Sequence, residues 1–335
     1  MSGEPPESHA AADSSPESRA EIRAELREVQ RLLARERLSL DEPAADRTCL
    51  LSHVGAQPRL TPCAWVAHRD LLYAMALSNL NPSQRRALAN SILLEYHRDF
   101  GVGHLKLRAL PSGLPLGGAS LEMQHRRGGP RCLYTWALGP QAEAVPCDWL
   151  LLRAQPGWAL DKPLRPLSST GLSTLVALGG EVVVLVATAV AALQVARLCA
   201  GKLEVAAHPR FSPYIEGPSP EAPVLLWPHD ALDGAGLRRR SITAVALVAA
   251  SEGVRQRAAR RHASLGGKDS TVELVDAACP ARIDRAGLTR FWEGCGRPRI
   301  LLRGDPQWAA TGARWLEGLG AHVEVQGAAT QLSLL

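Results

Sequence analysis

The C-terminal half of the chain alternates between short apolar segments and segments with the periodicity of helices. The apolar segments have the length and the Val, Leu and Ala content of strands, and they are Val182–Val186, Leu203–Ala206, Val224–Trp227, Ile242–Ala249, Val272–Val275, Ile300–Arg303 and His322–Val325. Helices fit best at Ala187–Ala200, Glu252–His262, Arg285–Glu293 and Gln307–Leu319. Such alternation predicts an α/β unit over residues 167–328, with a mostly parallel sheet and helices on both faces.

The composition agrees with a fold of helices packed on sheets. Phe, Tyr and Trp make up only 4% of the 335 residues, whereas hydrophobic residues make up 46%. The core must therefore consist mainly of Leu, Val and Ala, which suits this class better than an aromatic-rich β-sandwich. The same composition excludes a wholly disordered chain and a polytopic membrane protein.

Residues 58–155 show a different order of elements and predict a small α+β unit. Two helices, over Arg69–Leu80 and Pro82–Asp99, are expected between strands. The strands are short and separated by turns, and they are Cys63–Ala67, His104–Arg108, Leu121–Arg126, Arg131–Leu138 and Trp149–Arg153. Consecutive strands with short turns predict an antiparallel sheet with both helices on one face.

The N-terminus consists of a tail and a connector helix. Residues 1–17 are rich in Pro, Ser and Glu, which favours disorder. Residues 18–42 predict an amphipathic helix, whose apolar stripe comprises Ile22, Leu26, Val29 and Leu33. Arginines recur every fourth residue on its polar side. One interpretation is a helix that docks on the rest of the chain or forms a coiled coil, with its polar face exposed to solvent. The alternative is a helix that binds an acidic partner, in an oligomer or a hetero-complex.

Cysteine usage and the N-terminal sequence favour the cytoplasm or the nucleus. The seven cysteines are odd in number and contain no C-x-x-C pair, which is typical of reduced thiols rather than of a disulfide framework or a zinc site. The first 18 residues have neither a basic region nor an apolar stretch, so no secretory signal is expected.

Residues 171–200 raise the question of a membrane anchor, because their only strongly polar residues are Glu181, Gln194 and Arg197. A carboxylate near the centre of a spanning helix costs about 2.5–3.5 kcal/mol on insertion. We interpret the segment as a buried strand followed by a buried helix, so no membrane partner is expected. A single-pass anchor is the alternative.

Motifs for common cofactors and catalytic groups are absent from the sequence. No GxGxxG follows a strand, and there is no GxxxxGK[ST], GxSxG or HExxH pattern, so no cofactor and no metal is expected. Ligands of open parallel sheets bind beyond the carboxyl ends of the strands. His229 and Asp230 follow the strand at 224–227 and are placed for acid–base chemistry. The alternative is a structural turn with a hydrogen-bonded imidazole.

One short segment is similar to a nucleotide-binding loop. Ser264-Leu-Gly-Gly-Lys-Asp-Ser-Thr271 resembles the SGGxDS pyrophosphate loop of the ATP-pyrophosphatase family, and the resemblance implies that glycine amides, Ser hydroxyls and Lys268 hold phosphates. Two features depart from the family pattern: Leu265 stands at the first loop glycine, and the expected helix precedes the loop while the strand follows it. A glycine that ends a helix is the alternative.

The charge of the chain is concentrated in one segment. The chain carries a net charge of +5, but the segment from residue 238 to residue 268 holds eight basic residues and a single acidic one, Glu252. The basic residues are Arg238, Arg239, Arg240, Arg255, Arg257, Arg260, Arg261 and Lys268. Arginine suits bidentate recognition of phosphate or carboxylate. A solvent-exposed helix face and loop is the alternative.

These patterns favour an interaction or regulatory protein over an enzyme. The basic face is expected to bind an acidic protein surface or a phosphate-bearing ligand, and nucleic acid is a possible partner. The alternative is an enzyme acting on a phosphorylated or nucleotide substrate at the edge of the C-terminal sheet. Its candidate residues are His229, Asp230, Lys268, Asp269 and Ser270.

Overall fold

Three sheets organise the chain. The structure is a computed structural model that describes residues 31, 33, 35–41, 47–53, 64–77, 80–154, 165–177, 180–215, 217–231, 237, 241–248, 252–261, 273–278 and 283–326. Within these residues the sheets contain four, seven and six strands, and seven helices pack against them. The predicted mixed α/β fold with parallel sheets is confirmed.

The four-stranded sheet is entirely parallel. Its strands, in order across the sheet, are β1 (Leu38–Leu40), β2 (Thr48–Leu50), β3 (Trp65–His68) and β4 (Ile92–Leu94). Helices α1 (Arg69–Ala76) and α2 (Pro82–Ala89) cover one face through buried residues such as Leu71, Met75 and Ala87. Asn81 caps α2, since its side chain accepts the Gln84 N–H and the Gln84 side chain accepts the Asn81 N–H.

The seven-stranded sheet packs on the other face of the four-stranded sheet. Its strands are, in chain order, β5 (Asp99–Val102), β6 (Leu105–Pro111), β7 (Ala119–His125), β8 (Cys132–Thr135), β9 (Trp149–Arg153), β16 (Arg299–Arg303) and β17 (Val323–Val325), and they lie in the order β17-β16-β9-β8-β7-β6-β5. β5 to β8 are antiparallel neighbours, whereas β8, β9, β16 and β17 are parallel. Helices α6 (Arg285–Gly294) and α7 (Pro306–Glu317) cover its outer face.

The six-stranded sheet is also parallel. Its strands are β10 (Arg165–Pro166), β11 (Glu181–Val186), β12 (Val205–Ala207), β13 (Val224–Pro228), β14 (Ile242–Val248) and β15 (Glu273–Ala278), in the order β10-β15-β14-β11-β13-β12. Helices α3 (Ser169–Val176) and α4 (Ala189–Cys199) pack with alternate residues of β11, such as Val182 and Val184. Ala258 of α5 (Glu252–Arg261) packs with the β11 residues between them, such as Val183 and Leu185.

The closing strand–helix–strand unit belongs to a different sheet from the one expected. The sequence analysis grouped the strands near residues 300 and 323 with the C-terminal unit, but β16 pairs with β9 from Arg299↔Trp149 to Arg303↔Arg153. A buried parallel strand is apolar along its whole length, so its local pattern fits either sheet equally well. Long-range packing alone selects the partner.

Several predicted helices end earlier than expected; the one predicted over Arg69–Leu80, for example, ends at Ala76. The helix expected over residues 18–42 has ended before β1, because Arg37 has a left-handed φ of 53° and Leu38–Leu40 pairs as a buried strand. The helix expected over Pro82–Asp99 ends at Ala89, and β4 then pairs with β3. In addition, the strand near Trp65 joins the separate parallel sheet, so the predicted single antiparallel sheet is wrong for this region.

The apolar segment 171–200 contains the end of α3, the strand β11 and the helix α4. Val182 to Val186 are fully buried, in agreement with a core strand followed by a helix. Among the described residues, none of the helices combines the length and apolarity that crossing a membrane requires.

Candidate binding site at the edge of the six-stranded sheet

The carboxyl ends of neighbouring strands β12 and β13 bring together a cluster of polar and aromatic side chains. β12 is followed by His208 and Arg210, and β13 contains Trp227 and is followed by His229 and Asp230. The two strands pair in parallel, so both ends lie at the same edge. This is the edge at which ligands of open α/β sheets bind.

Arg210 and Asp230 form an ion pair across this edge. Arg210 Nη1 donates to both carboxylate oxygens of Asp230, at 2.8 and 3.0 Å. The hydrogen bond from Arg210 lowers the pKa of Asp230 from its ordinary value. Both side chains are more than half exposed. Nε and Nη2 of Arg210 make no polar contact with the described residues, so the pair orients a guanidinium group that still has donors for a ligand.

His208 is held beside this pair in its neutral form. Its ring meets Trp227 edge-on with 4.6 Å between centroids, and burial, assisted by the charge of Arg210, lowers the pKa of His208. The backbone N–H of Arg210 donates to His208 Nδ1 at 3.2 Å. Because Nδ1 accepts this bond, the neutral imidazole carries its proton on Nε2, where it is a donor.

His229 makes structural hydrogen bonds and does not belong to the cluster of His208, Arg210, Trp227 and Asp230. Its Nε2 lies 3.1 Å from the carbonyl oxygen of Leu185, and its backbone N–H donates to the carbonyl of Val186. These contacts tie the turn after β13 to the end of β11. The imidazole is therefore hydrogen-bonded as in the structural alternative, whereas Asp230 of the same dipeptide does belong to the cluster.

The structure describes only part of the predicted basic face. Arg257 and Arg260 lie exposed on α5, whose Ala258 is fully buried against the sheet. Arg255 and Arg261 fall within the same helix, but their side chains lie outside the described part, as do the following positions: Arg238, Arg239, Arg240, Lys268, Asp269 and Ser270. The segment that resembles a pyrophosphate loop also lies outside it. α5 starts at the carboxyl end of β14, two strands from β13.

Of the apolar stripe predicted for the N-terminal helix, the structure describes Leu33. Leu33 is 2% exposed and packs in the core between the four- and seven-stranded sheets, whereas Arg31 and Arg35 are exposed. Ile22, Leu26 and Val29 lie outside the described residues. At Leu33 the apolar stripe thus packs against this chain itself.

Sequence reasoning missed His208, Arg210 and Trp227. His208 and Arg210 follow the strand predicted at Leu203–Ala206 just as His229 and Asp230 follow the next strand, so the same search of strand ends would have found them. Their proximity to Asp230 could not be predicted, because it depends on β12 and β13 being neighbours in the sheet.

A second polar cluster lies at the carboxyl edge of the four-stranded sheet, but it is buried. Asp41, which follows β1, is 4% exposed and accepts hydrogen bonds from Ser52 and Tyr134. Its Oδ1 accepts from Ser52 N at 2.6 Å, and its Oδ2 accepts from the Ser52 hydroxyl and from Tyr134 Oη, the latter at 2.8 Å. Tyr134 lies on β8, so this network joins the two packed sheets.

Comparison with known proteins gives a fold and no function. No protein-family model matches the sequence, and no curated protein matches it. Among solved structures the chain is similar to a protein of unknown function from Enterococcus faecalis V583. The TM-score is 0.50 at 12% identity, over 78% of this chain and 76% of that chain. At this identity the likeness concerns the fold alone.

Proposed function

We propose that this protein binds a phosphate-bearing small molecule at the edge of the six-stranded sheet, through Arg210 and His208. The observation that carries the proposal is the orientation of the Arg210 guanidinium by Asp230 at the ends of two adjacent strands. Guanidinium donors and a neutral imidazole N–H match phosphate oxygens, which are acceptors.

The surroundings of the cluster support this ligand class. Arg257 and Arg260 add exposed positive charge on α5, and a positive surface raises the local concentration of anions. Trp227 is partly exposed beside His208 and offers an aromatic edge to a ligand. We also expect helices to cover both faces of the six-stranded sheet. The carboxyl ends of the strands would then be the part of the sheet that a ligand can reach.

The geometry favours binding over catalysis. A general base needs an available lone pair, but Nδ1 of His208 already accepts the Arg210 N–H. The carboxylate of Asp230 is likewise engaged with Arg210. We therefore infer a binding or regulatory role, with an enzyme acting on a phosphorylated substrate as the alternative.

A thermal-shift screen tests the proposal. The panel contains inorganic phosphate, nucleoside mono-, di- and triphosphates and sugar phosphates. A ligand present at 100 times its Kd stabilises the folded state by about 2.7 kcal/mol, which raises the melting temperature by several degrees. If no compound of the panel shifts the wild-type protein, the proposal is wrong. Turnover of a bound compound would support the enzyme instead.

The variant Arg210→Gln locates the site. We expect it to weaken binding about tenfold or more, because a charge-assisted contact contributes about 1.5–3 kcal/mol. Arg98→Gln is the matched control, since Arg98 also forms an exposed ion pair, with Glu95 at 2.9 Å. Equal affinities of the two variants would place the ligand elsewhere.

Salt titration separates a small ligand from nucleic acid. For duplex DNA, log K falls with log salt by about 0.9 per phosphate neutralised. The double variant Arg257→Gln/Arg260→Gln keeps helix propensity. If binding to DNA has a steep salt dependence that this variant removes, the basic helix rather than the strand ends is the functional surface.

A further inference from the structure

Two cysteines face each other at the amino ends of β9 and β16. Cys147 lies two residues before Trp149, where β9 begins, and Cys295 ends α6 four residues before Arg299, where β16 begins. The backbone N–H of Cys147 donates to the carbonyl of Cys295 at 3.1 Å. Backbone segments joined by such a hydrogen bond lie about 4.8 Å apart, which is compatible with the Cα separation of roughly 4.4–6.8 Å that a disulfide spans.

The two side chains are in contact as thiols. Both cysteines are free, and both pack in the core between the seven-stranded sheet and its outer helices. The thiol of Cys147 hydrogen-bonds with the sulfur of Cys295, which raises the pKa of Cys147 and lowers that of Cys295. The backbone hydrogen bond and the shared core position therefore bring the two cysteines next to each other.

A cavity open to solvent borders one member of the pair, Cys147. Its volume is about 660 Å³, it is open to solvent, and Cys147 contributes to its wall. The rest of the wall is formed by the hairpin loop and the segments before the two strands, which comprise Gly129, Pro130, Asp148, Gly296, Arg297, Pro298 and Arg299. Cys147 is 8% exposed and Cys295 is fully buried.

We propose that Cys147 and Cys295 are an oxidation site that a peroxide entering through this cavity converts to a disulfide. One sulfur attacks a peroxide oxygen, the O–O bond breaks, and the leaving oxygen takes up a proton. The second sulfur then attacks the resulting sulfenic acid and displaces water. In total the two thiols lose two electrons and two protons, and the peroxide is reduced to water and an alcohol, or to two waters.

The disulfide joins α6 and β16 to the segment before β9, which is far away in the sequence. Cross-linking across so long a loop restricts the unfolded chain strongly. We therefore expect the oxidised protein to melt at a higher temperature than the reduced protein. A thiol reductant should reverse the change.

Peptide mapping tests the proposal on the full chain. The reduced protein is treated with hydrogen peroxide, then denatured in an alkylating reagent and digested. The expected product is a cross-linked peptide pair containing Cys147 and Cys295, lighter by two hydrogen atoms than the separate peptides and absent after reduction. A disulfide from Cys147 to Cys132, links between separate chains, or intact alkylated Cys147 and Cys295 would overturn it.

Two variants test the Cys147–Cys295 disulfide independently of peptide mapping. Cys147→Ser should abolish both the cross-link and the oxidative rise in melting temperature. Cys199→Ser is the matched control, because Cys199 is also a fully buried thiol, on α4, and burial raises its pKa to about 11. The control should retain both effects. Loss of both effects in Cys199→Ser would contradict the proposal, and the wild-type map decides the matter even if Cys147→Ser does not fold.

Discussion

Polar clusters that contain a carboxylate lie at the carboxyl ends of strands in two of the sheets, and one cluster is buried whereas the other is exposed. At the four-stranded sheet, the Asp41 carboxylate is buried and accepts three hydrogen bonds from Ser52 and Tyr134. At the six-stranded sheet, the Asp230 carboxylate is two-thirds exposed and pairs with a half-exposed Arg210. Both carboxylates follow parallel strands, so strand position alone does not distinguish them.

The comparison shows that burial decides what such a carboxylate contributes. Removing a partner inside the protein leaves a desolvated polar group without compensation, which costs much of the total stability. At the surface, water replaces the lost partner. We therefore expect the Asp41 cluster to contribute to stability, whereas the Arg210–Asp230 pair is exposed enough for the ligand recognition that we propose.

The largest effect is expected for Asp41→Ala. It removes three acceptor contacts and also places Ala at a left-handed φ of 54°, so we expect a loss of about 3 kcal/mol or more in the free energy of unfolding. Urea denaturation measures it. Asp99→Ala is the matched control, because Asp99 also contacts two groups, Lys106 and Arg108, but is exposed. An equally small loss in both variants would remove the distinction drawn between the two edges.

Asp41→Asn separates the backbone contribution from the charge. Asn tolerates the left-handed conformation, so the variant loses only the carboxylate. We expect its loss of stability to lie between those of the wild type and Asp41→Ala. If it matches the wild type, the negative charge of Asp41 contributes nothing, and the loss in Asp41→Ala comes from the backbone conformation and from the hydrogen bonds that Asn can still accept.

Tyr134→Phe should have an intermediate effect. It removes one hydrogen bond to the buried carboxylate and keeps the ring, which costs about 1.5–3 kcal/mol. Tyr96→Phe provides a comparison, since Tyr96 Oη donates to the neutral carbonyl of Gly118 at 2.9 Å. Thermal and urea unfolding of the two variants should show the larger loss for Tyr134→Phe. The reverse order would contradict a charge-assisted network.

Asp230→Asn should change stability by at most about 1 kcal/mol, because exposed ion pairs contribute little. The same variant should nevertheless weaken binding of a phosphate-bearing ligand, since Arg210 loses the group that orients it. Unfolding curves and ligand titrations measured on one preparation separate the two effects. A large loss of stability would show that this edge is structural as well.

The smallest expected effect is the pH dependence due to His208. Its pKa is lower in the folded protein than the ordinary 6.5, so the unfolded chain binds a proton first as the pH falls. The contribution of His208 to stability is therefore present above pH 6.5 and is lost as the pH falls from there through the lower pKa of the folded state. His208→Asn should flatten the stability profile below about pH 6.5. An unchanged profile would show that the ring is not held neutral.

Most individual elements could be predicted from the sequence, because each depends on local pattern. Trp149–Arg153 has the predicted bounds, and Val182–Val186 is a buried strand as expected. The helix over Pro82–Asp99 was predicted too long, because β4 needs its partner β3 to form. Of the candidate site, Asp230 was found from its position after a strand, whereas Arg210 and His208 were not.

Local pattern was enough to identify most of the strands and helices, because periodicity and capping act over a few residues, but it failed at β1 and β4, which lie in segments predicted as helix. Long-range packing is responsible for the pairing of β16 with β9, for the contact of Asp41 with Tyr134, and for that of Cys147 with Cys295. These contacts join residues far apart along the chain, and they depend on which apolar strands become neighbours. Parallel strands buried on both faces carry no local mark of their partner, so the packing of the whole chain selects it.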